Sequence, residues 1–170
     1  MGFNRKDIKQ VSENIFSMLD NEWMLLTAGT LEKMNTMTIS WGSMGILWNK
    51  PIAICFVRPQ RYTDTFMKEQ YTFTLTVLPP DLKHILTICG SKSGRNTDKI
   101  RETGLTPFLT PGKGISFEQA RIYVECKKTY TSVFDPANIV DRSIPSSIYP
   151  GNDFHNIYFG EITGWFEKAD

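Results

Sequence analysis

Apolar residues at Ile8, Val11, Ile15, Met18 and Leu19 recur at helical spacing, which predicts an amphipathic opening helix over residues 6–19. Beyond it the pattern changes. EWMLLTAG (22–29), NTMTISWG (35–42), PIAICFV (51–57), YTFTLTVL (71–78), ARIYVECKKTYT (120–131) and NIYFGEITGWF (156–166) are rich in β-branched and aromatic residues. Several alternate with period two, and Gly, Pro or Asn punctuates most of their ends, so at least six strands are predicted. Short helices fit between them: Thr63 can cap DTFMKE (64–69), Asp81 can cap LKHILTIC (82–89), and Asp135–Pro136 suits the start of PANIVDR (136–142). Strands that outnumber short helices and do not alternate with long ones predict a mainly β fold with peripheral helices, an antiparallel barrel or sandwich and not a doubly wound parallel sheet. With no repeat, low-complexity tract or linker, residues 1–170 read as one domain, its N-terminal helix within 1–20 and its barrel and peripheral helices within 22–166.

Composition narrows the function. A chain of 170 residues that is 41% apolar can bury one substantial core. Nineteen Lys plus Arg stand against 18 Asp plus Glu, with no long basic block, so no general field draws nucleic acid or an acidic membrane surface, and any anion must be bound locally. Cys55, Cys89 and Cys126 are odd in number and far apart, which fits reduced thiols partly in the core and no disulfide framework. His84 and His155 lack neighbours at metal-ligand spacing. No apolar run reaches the length of a membrane span, and the N-terminus is polar without a following apolar region, so the expected location is cytoplasmic.

Familiar phosphate loops are missing. GSKSGR (90–95) does not match GxxxxGK[ST], and Phe117 stands where Gly112 and Gly114 would need a third glycine. Three other polar segments remain. In NTMTISW (35–41), Thr36, Thr38 and Ser40 alternate along one strand face; hydroxyls and backbone amides there can donate to an oxyanion or a heteroaromatic edge, and a solvated face fits as well. In RPQRYT (58–63), Arg58 and Arg61 offer planar forks suited to phosphate, with Tyr62, Thr63 and a helix start as further donors; surface ion pairs are the alternative. CGSKSGRNTDK (89–99) combines two glycines, two serines and three cations, either an anion loop or a helix end with solvated charges. No triad, paired acids or metal cluster accompanies them, a pattern that suggests a bound cofactor carrying the reaction.

The sequence resembles the flavin reductase-like proteins, including flavoredoxin-type electron carriers, over roughly residues 22–165. The resemblance rests on NTMTISWGSMGILWNKP (35–51), FVRPQRYT (56–63), GSKSGRNTDK (90–99), TGLTP (103–107) and DFHNIYFGEI (153–162), in the family's order. It implies an FMN-binding split β-barrel that assembles as a homodimer. It also implies that Thr36, Met37, Thr38 and Ser40 line the flavin ring, mostly through main-chain groups. Arg61, Tyr62 and Thr63 would hold the phosphate with Arg58 in support, and Ser91, Ser93, Gly94, Asp98 and Lys99 would complete the site. His155 and Tyr158 fall in a segment that approaches the flavin or the dimer interface in relatives; a packed strand explains them equally. The implied activity is NAD(P)H:flavin oxidoreduction: hydride from NADH or NADPH enters bound FMN, and electrons leave to free flavin or a small acceptor. The alternatives are an electron carrier reduced by a partner protein and a non-catalytic cofactor-binding protein on the same fold. No side chain is expected to be an essential acid or base.

Overall fold

The computed structural model describes residues 2–169. All six apolar segments are strands in it: β2 (Met24–Gly29), β3 (Met34–Ile39), β5 (Lys50–Val57), β6 (Thr72–Val77), β9 (Ile122–Val133) and β10 (Asn156–Lys168). Four more join them, β1 (Phe3–Lys6), β4 (Gly42–Leu47), β7 (Pro107–Leu109) and β8 (Ile115–Phe117). The helices are α1 (Ile15–Ser17), α2 (Tyr62–Glu69), α3 (Lys83–Ser91), α4 (Lys99–Thr103) and α5 (Ser143–Ile148).

The continuous opening helix is not formed. Phe3–Lys6 pairs with the end of β10, and two polar residues cut the segment that follows. Asp7 accepts from the Lys9 amide at 3.0 Å, and Asn14 accepts from the amides of Phe16 and Ser17. These local bonds favour short turns over a long helix. The apolar spacing is satisfied nonetheless, because Met18 and Leu19 are buried and Ile8, Val11 and Ile15 pack against the same core. The expected caps also shift. α2 begins at Tyr62, so Thr63 lies inside its first turn; Asp81 sits in a 3-10 turn before α3; Asp135 caps only the short turn Pro136–Asn138.

The main sheet is antiparallel, with strands in the order β3-β2-β6-β9-β10-β5-β4 and β1 beside β10. Only Ser40 and Trp41 separate β3 from β4, yet these strands stand at opposite ends of that order. The three steps from Ile39 to Gly42 span about 11 Å at most, so the sheet must curl until its ends come together, a barrel split along the β3–β4 seam. Alternate residues of the central strands point inward, among them Ala53, Cys55 and Val57, Phe73, Leu75 and Val77, and Ile122, Val124 and Cys126. The other face of β6 is not solvated: Thr74 Oγ1 donates to the Ile115 carbonyl and Thr76 meets Ser116 at 3.0 Å beneath the β7–β8 hairpin. All three thiols are free and buried. A second cluster, Leu25, Ile85, Leu86, Cys89 and Phe117, seats α3 outside the barrel, where it packs on β3 and β2.

Candidate functional site

β5 carries the chain to Val57, and the turn Arg58–Arg61, closed by the Arg61 amide on the Arg58 carbonyl at 3.0 Å, delivers it into α2. Arg61 is the N-cap residue but gives no side-chain cap; its carbonyl accepts from the Asp64 amide at 2.9 Å, and the Tyr62 and Thr63 amides before it are left uncapped. The Arg61 guanidinium reaches instead to the far end of α3, donating to the Gly90 carbonyl at 2.8 Å and the Cys89 carbonyl at 3.4 Å. Lys99, buried at the start of α4, donates to the Cys89 carbonyl and to the Thr36 carbonyl on β3, each at 2.9 Å. Both cations thus lie at the negative end of the α3 dipole. Burial is the main influence on each, lowering the Arg61 pKa and bringing Lys99 down to about 8.

The loop after α3 closes the third side. Ser91 Oγ donates back to the Thr87 carbonyl, and the Ser93 hydroxyl accepts from the Arg95 amide at 3.3 Å. At Gly94 the backbone presses so closely on β3 that an added Cβ would collide with Asn35 Oδ1 and stand 3.1 Å from the Tyr62 ring. Asn35 in turn donates from Nδ2 to Thr63 Oγ1 at 2.7 Å, linking β3 to the first turn of α2. Arg95 stacks 4.9 Å from the Tyr62 ring centre and donates to the Gln60 carbonyl at 2.9 Å.

These elements enclose a cavity of about 80 Å³ between the N-terminus of α2 and the end of α3. Its lining brings together Arg61, Tyr62, Thr63, Ser91, Ser93, Gly94 and Lys99 from the expected set. It adds Asn35, Gln60 and Lys92. No carboxylate lines it, while three cations, two serine hydroxyls and a helix N-terminus do, which suits an anion of phosphate size. An adjoining groove of about 810 Å³ shares Asn35, Tyr62, Gly94 and Lys99 with it and also touches Thr36 and Asp98. The donor set and the Gly94 approach fit the terminal monophosphate of FMN, with room beside it for the rest of the molecule.

The remaining expected residues lie outside the small cavity, Thr36 and Asp98 on the adjoining groove. Met37 is in the barrel core. Thr36 and Thr38 do not form a solvated face: Thr36 Oγ1 accepts from Thr27 Oγ1 at 2.9 Å, and Thr38 Oγ1 donates to the Leu86 carbonyl at 2.5 Å. Ser40 lies beyond the end of β3 in a separate groove whose lining mixes aromatic residues, among them Trp41, Phe56, Phe134 and Tyr149, with polar ones such as Asn14 and Asp20. The Asp98 carboxylate caps α4 by accepting from the Arg101 amide at 3.0 Å. Arg58 points away from the cavity, paired with Asp153, donating to the Ile148 carbonyl at 2.8 Å and stacked on Tyr149. The side chains of His155 and Tyr158 are packed: His155 Nδ1 shares a hydrogen bond with Tyr149 at 2.8 Å, and the Tyr158 hydroxyl donates to Asp64 at 2.7 Å. Burial brings His155 down to about 4, so its imidazole is neutral. Asn35 left one sequence signal, an amide opening a strand where such residues are depleted.

The chain belongs to the flavin reductase-like domain family, whose model matches residues 17–169. No curated protein matches it in sequence. Among solved structures it is similar to an FMN-binding protein from Thermus thermophilus, with 17% identity, TM-score 0.69, and 96% of this chain and 81% of that one covered. It is also similar to flavoredoxin from Methanosarcina acetivorans, with 19% identity, TM-score 0.70, and coverage of 96% and 76%. A Streptomyces globisporus NADH:FAD oxidoreductase shares 14% identity at TM-score 0.63, over 86% and 75% of the two chains. These likenesses extend over most of the chain and confirm the split-barrel fold. No described helix is long and apolar enough to cross a membrane.

Proposed function

We propose that this chain is an FMN-binding oxidoreductase that accepts hydride from NADH or NADPH and passes electrons to free flavin or another small acceptor, working as a homodimer. The observation that carries the reading is the carboxylate-free, phosphate-sized cavity between α2 and α3. Arg61 and Lys99 supply charge there, the first α2 amides and the Ser93 hydroxyl, whose proton is free, supply donors, and Gly94 permits close backbone approach. FMN, when bound, supplies the hydride and electron chemistry, and the protein's part is to bind and orient it. From Asn35 in the cavity wall, β3 runs on to Ile39, roughly 13 Å of edge-strand backbone.

The visible spectrum of the purified protein, followed by stopped-flow mixing with NADH and NADPH, tests this. Flavin absorbance that bleaches on mixing is expected; a colourless protein that binds no added FMN refutes it. The flavoredoxin likeness favours a second reading, an electron carrier reduced by a partner protein. Bound FMN that neither nicotinamide reduces would select it, and a flavin that nothing turns over would leave a non-catalytic binding protein. Sedimentation at micromolar concentration is expected to show one dimeric species.

A further inference from the structure

Lys99 has an unusual setting for a charged group. It is only 4% exposed, and its Nζ is held by two neutral carbonyls, Thr36 on β3 and Cys89 on α3. Among the described residues no carboxylate forms an ion pair with it. From the start of α2 comes Arg61, a second cation on the same Cys89 carbonyl. From α3 comes Cys89, a buried thiol held neutral, its pKa pushed up to about 11 chiefly by burial. The following loop supplies Lys92, paired with Glu102 of α4. Asp98, next in sequence, keeps its charge but turns its carboxylate to the Arg101 amide and not to Lys99 Nζ. β3 contributes only Asn35 and a carbonyl.

We propose that binding of a phosphorylated flavin takes up a proton at Lys99 Nζ, so that the cavity is fully charged only when its anion is present. This rests on the reading of the cavity as a phosphate site. Two cations share one carbonyl inside a low-dielectric wall, and Arg61 cannot relieve their repulsion because guanidinium does not deprotonate in proteins. The lysine is therefore the group that yields. Its ordinary value of 10.5 falls to about 8 for this reason and, above all, for its burial. A dianion in the cavity opposes both effects and restores the ammonium. The phosphate itself takes up nothing at alkaline pH, its second ionisation lying near pH 6.

The test is calorimetric titration of the apo-protein with FMN and riboflavin at pH 8.5, in buffers of different ionisation enthalpy, which counts the protons exchanged. Uptake of about 0.7 proton per FMN and none per riboflavin is expected, with FMN affinity falling up to tenfold per pH unit above pH 8. Lys99→Met is expected to bind FMN more weakly with no proton uptake. Lys99→Arg, charged throughout, is expected to bind with a flat pH profile. FMN bound tightly by the unmodified protein with no net uptake overturns the proposal and leaves the phosphate site standing. Equal affinity for FMN and riboflavin overturns the phosphate site and this proposal with it.

Discussion

Removing Arg61 separates two jobs that the structure gives to one side chain. In Arg61→Ala, α3 loses a well-formed charged hydrogen bond at its Gly90 carbonyl and a longer one at Cys89. A bond to a charged donor contributes about 1.5–3 kcal/mol, and half-burial at a solvent-reachable helix end places the loss near the lower part of that range, about 1–2 kcal/mol. For a domain of this length, that lowers Tm by about 2–8 °C. The second loss falls on the ligand: without the fork, the phosphate forfeits one or two charge-assisted bonds, so FMN affinity should drop roughly ten- to a hundredfold while riboflavin affinity holds. Arg61→Lys retains charge but not the planar pair of donors, and intermediate values are expected for both quantities. Thermal melts of the three apo-proteins and calorimetric titrations with both flavins measure them. A variant that melts like the parent and binds FMN equally well would refute both roles.

Three further outcomes follow from packing and burial. Gly94→Ala, which drives a methyl into Asn35, should cost about 1–3 kcal/mol of stability by denaturant unfolding and weaken FMN more than riboflavin. His155 titrates at about 4 in the fold against an ordinary 6.5, so the unfolded chain is protonated first; its contribution is complete above pH 6.5 and lost towards pH 4 at up to about 1.4 kcal/mol per unit. Melts across that range should show the loss, and His155→Gln should flatten it. Cys55 behaves oppositely at alkaline pH: burial pushes its thiol up to about 12 from 9.0, so its contribution, present below pH 9, falls as pH rises towards 12, by about 1.4 kcal/mol at pH 10; buried Cys89 and Cys126 act in the same direction, so Cys55→Ala should reduce the slope of alkaline unfolding curves by that share without abolishing it.

The barrel strands were legible because each buries alternate residues, and period two survives in the text wherever one face is core. β4 was hidden by its glycines and by Ser40 and Trp41, which join it to β3 without any turn residue. Its hairpin with β5 turns on Trp48 and Asn49 at positive φ, of which only the asparagine is a usual turn signal. The opening helix failed for a different reason: helical spacing records which residues reach the core, and a chain of short turns reaches it too. Residue type and the family resemblance point to Arg61, Tyr62, Thr63 and the Gly-Ser loop, which line one cavity in the structure. Arg58 has the same chemistry as Arg61 three residues earlier, and nothing local distinguishes them. Asp153, 95 residues away, claims the first, and the end of α3 claims the second. The hydroxyls of Thr36 and Thr38 are equally ambiguous, because ones that satisfy a neighbouring strand or helix look like a wet face when read alone.

The seam between β3 and β4 gives the split barrel one boundary that no strand seals. Along β3 the partner that would complete the ring is replaced by α3 and by single donors such as Lys99 on the Thr36 carbonyl. Backbone groups that a complete cylinder would pair strand to strand are met at that lip by a helix and a side chain, so the hydrogen-bond ladder of the barrel ends there. Evolution can then retune such a protein by editing two helix ends and one loop, with the cylinder untouched.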